Sequence, residues 1–483
     1  MAIVTSKFRV SAASGFASTF ATDNIYLVLG RPQPWDNSLS TNFAEQANGT
    51  VSDSNPPNPV DNWVNEYGLW RDAMAGVKLN YSDVKLATVR NNWQSGVRYD
   101  MYRHNINSSN PSENGKYDLS ETNMIVYVTS TGAVYKCLYN GKNGTLTTGV
   151  VSTVMPSTTG TAPQATGDGY IWKYLYTITA ADADFITENY IPVPNTTNIG
   201  SVNGVDVIYM ANGGSGYTIA PTVAIYGDGN GAAATATLTG TSVTRITVTQ
   251  SGQGYTWAKV VLEGGGPTPT TGNAVAVIAP AGGHGSNLVY ETMAHNVMIA
   301  GTVSGYLNND FPVNQDFRTV SLIKNPMTYN SSVGFFVTSN VGTLYTTNTG
   351  RILRTLTMTS GATTAPANDI VLTGSNSLAT GLFVFQSSGT VQLQYIQPVN
   401  SDVPANISDL RIDRTGTKRL YQFTTSETIT GTGYSQIINS STGITGQVPE
   451  IQPYSGSMLY LDYRQPITRS AGQNEKINIV VNF

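Results

Sequence analysis

Charge is what this chain of 483 residues has little of. Asp, Glu, Lys and Arg make up 12% of it, against roughly 25% in an average soluble domain. The net charge is only −4, and Lys142, Lys173, Lys259 and Lys324 are scattered rather than gathered in a stripe. Nothing in that pattern could neutralise a run of phosphates, so nucleic acid is not an expected partner. Cysteine is nearly absent. Cys137 stands alone, which excludes an internal disulfide and leaves folding compatible with a reducing compartment. Within VYKCLY it reads as a small apolar strand residue rather than a nucleophile. Long apolar runs are missing too. No stretch reaches the 18 or so residues of a membrane helix, so no span is expected. The opening MAIVTSKFRVSAASGFASTFA offers Lys7 and Arg9, but a Ser-, Ala- and Gly-rich continuation in place of an apolar core. It is not expected to act as a cleaved signal.

Thr, Ser, Asn, Gly and Tyr fill the space that charge leaves. This composition favours strands and turns, and gives a polar, weakly charged surface. Such a surface suits lasting assembly, because few ionic groups must be desolvated at a contact.

The densest glycine run, GGSGYTIAPTVAIYGDGNG (213–231), could in principle cradle a phosphate. That chemistry needs a helix starting directly after the glycines, so that free N–H groups and the helix dipole face the anion. Here AAATATLTG follows, which alternates as a strand does, and no Lys-Ser or Lys-Thr pair is present. The run also repeats. IYMANGGSGYT (208–218) recurs as ITVTQSGQGYT (246–256), and PTVAI (221–225) is echoed by KVVLE (259–263). Each unit reads as strand, glycine turn, Tyr-Thr, strand. Self-similarity of this kind marks a repeated supersecondary unit.

Elsewhere, 23–30 (DNIYLVLG) reads as a strand that two prolines stop at Arg31-Pro32-Gln33-Pro34-Trp35. Asp61 can cap a helix over about 62–75, with Trp63, Tyr67, Trp70 and Met74 at helical spacing and Gly76 ending it. That aromatic stripe reads first as a core face. MIVYVTS, AVYKCLY, GYIWKYLYTI and FRTVSLIKNP are expected strands, and VYETMAHNVMI a short helix or a strand. A second Thr/Ser/Gly-rich β region spans 331–450, with LRTLTMTS, GLFVFQSSGTVQLQYI and KRLYQFTT. Two strands joined by a polar loop close the chain.

Titratable candidates are sparse. His104, His284 and His295 are the only histidines, and a metal site would want tighter spacing than the interval from His284 to His295. His284, in GGHGS, reads as a hinge. Asp182 with Asp184, Asp228, and Asp409 with Asp413 are the carboxylates that a glycosidase could use, but hydrolysis needs two of them facing across a cleft. Turn chemistry explains Asp182 and Asp184 equally well. No catalytic residue, metal, cofactor or small-molecule substrate is expected.

Seven stretches occur in a set order: AIVTSKFR, NIYLVLGRPQPW, GLWRDAMAGVK, GDGYIWKYLY, NYIPVP, FRTVSLIKNP, and MLYLDYRQPI with NEKINIVVNF. In that order the chain resembles the baseplate wedge subunit encoded by gene eight of T4-like contractile-tailed bacteriophages. The likeness covers roughly 1–195, 284–330 and 451–483. It implies a mainly β fold with a β-sandwich core, helix-bearing loops and a homodimer. It also implies a place in the virion's tail baseplate among other wedge subunits, with assembly in the host cytoplasm. Two stretches depart from the pattern. The expected organisation is therefore a core over 1–195, an inserted glycine-rich β-repeat module over 196–282, core again over 283–330, a second inserted β-rich module over 331–450, and closing core strands over 451–483.

Trp35, Trp172, Tyr174 and Arg464 are the interface candidates, because Trp, Tyr and Arg bury large areas and still hydrogen-bond. Each is equally explicable as core. Two readings rival a structural subunit: a receptor- or glycan-binding tail module, which would show an exposed aromatic platform in the repeat region, and a cell-wall hydrolase, which would show facing carboxylates in a cleft.

Overall fold

The computed structural model describes residues 5–35, 51–61, 63–143, 146, 148–195, 204–304, 310–330, 342–359, 365–367, 370–377, 379–387, 390–394, 423–446, 448–470 and 472–483. The fold is mainly β. Strands dominate, helices are few, and the described strands form five antiparallel sheets. They divide between two compact units: Met1–Ser18, Val84–Ala300 and Asn478–Phe483 in one, Thr19–Asp83 and Gly301–Ile477 in the other.

In the first unit, Ile125–Val128, Ala133–Asn140, Tyr170–Thr177 and Gln164–Ala165 pair in that order. Ala133–Asn140 is buried at every position, so Cys137 is indeed enclosed in a strand. A second sheet runs Asn474–Asn482, Asn296–Ser304, Val84–Val89, Tyr190–Val193. VYETMAHNVMI resolves into both expected elements, a short helix Leu288–Glu291 and the strand Asn296–Ser304. One element was not anticipated. Ser6–Thr22 is a helix whose buried positions Val10, Ala13, Ala17 and Phe20 fall at steps of three and four. Ala13 and Ala17 at the centre of that stripe are small, so it carries little apolar contrast.

The glycine-rich region is a six-stranded sheet in the order Ala258–Glu263, Thr222–Gly227, Asn230–Thr239, Ser242–Gln253, Val205–Asn212, Asn273–Ile278. No helix follows the glycines, since Gly231 already lies within the strand Asn230–Thr239. The repeat holds in conformation as well as in sequence. Gly214 and Gly252 both have φ of 66°, Gly216 and Gly254 have 78° and 77°, and Tyr217 and Tyr255 are both buried. The glycines serve those two rings. A Cβ on Gly265 would stand 2.4 Å from the Tyr217 ring, and one on Gly227 would stand 2.8 Å from the Tyr255 ring. The phenols close the sockets: Gly272 N–H donates to Tyr217 Oη at 2.9 Å and Ala232 N–H to Tyr255 Oη at 3.4 Å. Gly252→Ala should therefore cost the module about 1–3 kcal/mol by overpacking, since its Cβ would meet Asn230 O at 2.4 Å. Gly240→Ala, also at positive φ but in open space, should cost only the backbone strain, about 1–2 kcal/mol. Hydrogen exchange of the module's amides measures both, and equal losses would sink the socket explanation.

In the second unit, Thr349–Arg351, Ala73–Leu79, Ile25–Gly30, Gln315–Lys324 and Ser457–Arg469 form a five-stranded sheet. Ile25–Gly30 is buried at all six positions, which explains its run of large apolar residues. The expected helix over about 62–75 is shorter than its periodicity implied. It spans Trp63–Asp72, and the strand Ala73–Leu79 begins directly after it. Met74 therefore sits on a strand, and Gly76 pairs with Val28 instead of ending a helix. Pairing with a central strand outweighs three helically spaced aromatics, because it satisfies a backbone ladder and buries both faces. A further six-stranded sheet runs Arg354–Thr357, Thr390–Gln394, Thr380–Ser387, Val371–Gly374, Thr428–Gly431, Tyr434–Ile437 around Leu356, Leu372, Phe383 and Ile429. Most of the expected strand KRLYQFTT lies outside the described residues. Within 331–450, Thr349–Arg351 joins the five-stranded sheet and the later strands join this one.

Candidate functional site

The most concentrated chemistry in the first unit is buried. Ala133–Asn140 and Tyr170–Thr177 pair in a register that sets Lys136 directly opposite Lys173. Two like charges side by side in a sheet repel, and both are enclosed. Counter-charge arrives from two other segments. Glu291, on the helix Leu288–Glu291, accepts from Lys136 Nζ at 3.1 Å, and Asp206 comes from the strand Val205–Asn212. His284 closes the arrangement. Its Nδ1 lies 2.6 Å from Glu291 Oε1, and its Nε2 is 3.4 Å from Asp206 Oδ2. Gly285 N–H also donates to Glu291. Lys136 Nζ stands 3.7 Å above the Tyr102 ring, whose plane meets the His284 imidazole edge-on.

Burial sets the protonation states, modified by the neighbours. It would push the Glu291 carboxyl up, but the Lys136 charge, the His284 hydrogen bond and Gly285 N–H outweigh it and hold the group down at about 2. Burial lowers the His284 imidazole, and the Lys136 charge adds to that effect. Asp206 is raised, again chiefly by burial. A neutral His284 that donates from Nδ1 to Glu291 turns a lone pair on Nε2 towards Asp206. Among the described residues neither Nε2 nor Oδ2 has a hydrogen-bond partner. These side chains balance and fix one another. They offer no open coordination position, and among the described residues no group of three or more His, Cys, Asp or Glu is placed to hold a metal ion.

A pH test follows. Folded His284 resists protonation, whereas the unfolded imidazole takes a proton below about 6.5. Stability linked to it is complete above that value and falls as pH drops through it. His284→Gln should remove this loss. The melting-temperature gap between wild type and variant should narrow from pH 7.5 to 5.5, and a constant gap would refute the assignment.

In the second unit, Asp310, Tyr345 and Glu450 line a surface cleft. Glu450 accepts Arg351 N–H at 3.0 Å, and Tyr345 Oη–H donates to Thr349 O at 2.6 Å. Burial first, then the Glu450 charge, pushes the Tyr345 phenol up to about 12. Burial raises Asp310 as well. The carboxylates named from the sequence lie elsewhere. Asp182 sits in the short 3-10 helix Ala180–Phe185 and pairs with Lys85 at 3.0 Å, Asp184 lies in the same helix, and Asp228 organises a turn of the glycine-rich sheet. Asp409 and Asp413 fall outside the described residues.

Of the interface candidates, Trp172 is wholly enclosed, stacked on Tyr170 at 5.3 Å with Tyr99 edge-on. Tyr174 is half-buried against Tyr135, its hydroxyl 2.9 Å from that of Thr177. Trp35 and Arg464 come together. Trp35 is buried against Tyr463 beneath the Arg31 guanidinium, and its indole N–H donates to Arg464 O at 2.8 Å. Arg31 in turn pairs with Asp72 at 2.7 Å. The Arg464 guanidinium is partly exposed beside Asp462. Histidine spacing could not reveal the buried cluster. The signal available was a lysine at the centre of each of two apolar strands, VYKCLY and YIWKYLY.

Fold and site together define a mainly β protein of several antiparallel sheets, whose buried ionic groups fix the packing of strands. Residues 2–206 match the phage family described as Bacteriophage T4, Gp8. Over 215 residues the chain is 28% identical to baseplate wedge protein gp8 of Enterobacteria phage T4, a stretch covering 40% of this chain and 60% of that protein.

Proposed function

We propose that this chain is a structural subunit of a phage tail baseplate wedge. The match of residues 2–206 to the T4 Gp8 family carries the reading, and the low charge of the chain agrees with it. In this reading the protein is a homodimer without catalytic activity that bridges neighbouring wedge proteins. Sheath contraction repacks those contacts, which requires two arrangements separated by only a few kcal/mol. The chain is made in the host cytoplasm and remains in the virion tail. The glycine-rich region is an insertion in a core loop: Val205 pairs with Ile278, so the two ends of its sheet meet. Native mass measurement of the purified chain, alone and mixed with the phage's other wedge proteins, tests the proposal. A dimer that enters a complex of defined stoichiometry is expected. A monomer that joins none of them would overturn it.

A further inference from the structure

The glycine-rich sheet also presents aromatic side chains that its own core does not use. Along the paired strands Thr222–Gly227 and Ala258–Glu263, alternate positions face opposite ways. Val223, Ile225, Ala258, Val260 and Leu262 turn into the core shared with Tyr217 and Tyr255. The other face carries Tyr226, which pairs with Lys259, together with Glu263, and Trp257 directly precedes the second strand. Trp257 is 54% exposed and Tyr226 is 52% exposed. Trp257 directly precedes Ala258, whose partner Gly227 is the chain neighbour of Tyr226.

The backbone of the turn before Trp257 and the Tyr226 hydroxyl both have partners. Asp228 accepts from the amides of Thr256 at 2.9 Å and Trp257 at 3.2 Å, and from the Thr256 hydroxyl. That hydroxyl, then the amides, holds the Asp228 carboxyl down at about 2, so the clamp stays ionised near neutral pH. Tyr226 Oη–H donates to Glu263 Oε1 at 3.0 Å. The Tyr255 ring, seated against Gly227 and Gly229, supports the turn from below.

We propose that this face binds a saccharide, with sugar rings laid against Trp257 and Tyr226 and their hydroxyls bonded to Asp228, Lys259 and Glu263. The chemistry of the patch selects that occupant. A pyranose has an apolar C–H face and a polar rim, and here two exposed aromatic side chains stand among one amine and two carboxylates. One positive group beside two negative ones suits a hydroxyl-bearing chain better than a polyanion such as nucleic acid. Two separated rings are far short of the roughly 800 Å² per partner of a stable protein interface. This inference does not depend on the baseplate reading, since the face lies beyond residues 2–206.

Saturation-transfer difference NMR on the full chain tests it, with cellohexaose, chitohexaose and maltohexaose as probes at millimolar concentration. Transfer to ring C–H protons of at least one probe is expected. Trp257→Ala should reduce it at least five-fold and Tyr226→Ala at least two-fold, whereas Tyr117→Ala, at an exposed aromatic outside this sheet, should leave it unchanged. Circular dichroism should show all three variants folded. No transfer to any probe overturns the proposal, as does transfer that survives Trp257→Ala or falls equally in Tyr117→Ala.

Discussion

Replacing Glu291 by alanine should cost about 3–5 kcal/mol, the usual penalty for removing one partner of a buried ion pair. The substitution deletes the nearest counter-charge of Lys136, the acceptor of Gly285 N–H and the partner of His284 Nδ1. Lys136 is only 1% exposed and cannot reach water without moving its strand. Against a domain stability of roughly 5–15 kcal/mol, this is a large share. The double variant Lys136→Met with Glu291→Gln should recover most of the loss, because the buried charges go together and one acceptor remains. Urea titration by circular dichroism at pH 7 measures both. A single variant within about 1 kcal/mol of wild type would show that the pair contributes little. The pH dependence carries the matching sign. Glu291 is held at about 2, below its ordinary 4.5, so its contribution is present above pH 4.5 and is lost as pH falls towards 2.

What could be read from the sequence was whatever repeats locally. Ile25–Gly30, Ala133–Asn140 and Gln315–Lys324 are strands because their apolar, β-branched runs have no other low-energy use. The glycine-rich repeat was legible too, since two copies of one turn must adopt one conformation, as Gly214 and Gly252 do. Elements decided by distant partners were hidden. The helical spacing of Trp63, Tyr67, Trp70 and Met74 ran past the real helix end because nothing local revealed that Ala73 would pair with Gly30. The helix Ser6–Thr22 went unread for the opposite reason: Ala13 and Ala17 mark its buried face without contrasting with their neighbours. The ionic cluster draws Lys136, Asp206, His284 and Glu291 from separate segments, and only their packing in the folded chain brings them together.

Truncating the chain after Asn474 should give insoluble protein. The strand Asn474–Asn482 alternates as its sequence implies, with Glu475, Ile477 and Ile479 buried and Lys476 and Asn478 exposed. It pairs beside Asn296–Ser304 in the four-stranded sheet, so its loss would bare an edge. Three separate costs then combine. Ile477 and Ile479 forfeit burial worth about 1.5–3 kcal/mol each. Arg469, itself only 1% exposed, loses its carboxylate partner Glu475 at 2.8 Å, at a cost of about 3–5 kcal/mol. Phe483, whose carbonyl accepts from Arg9 and whose ring lies 5.5 Å from Phe16, no longer tethers the first helix. The first two alone approach the stability of a whole domain. Arg469→Met in the truncated chain separates them, because it removes the buried charge that lost its carboxylate and leaves the bared edge. If the charge dominates, that variant regains solubility; if edge and burial dominate, it stays in the pellet. A truncated chain that remains soluble and melts within a few degrees of the full protein would show that the closing strand is dispensable.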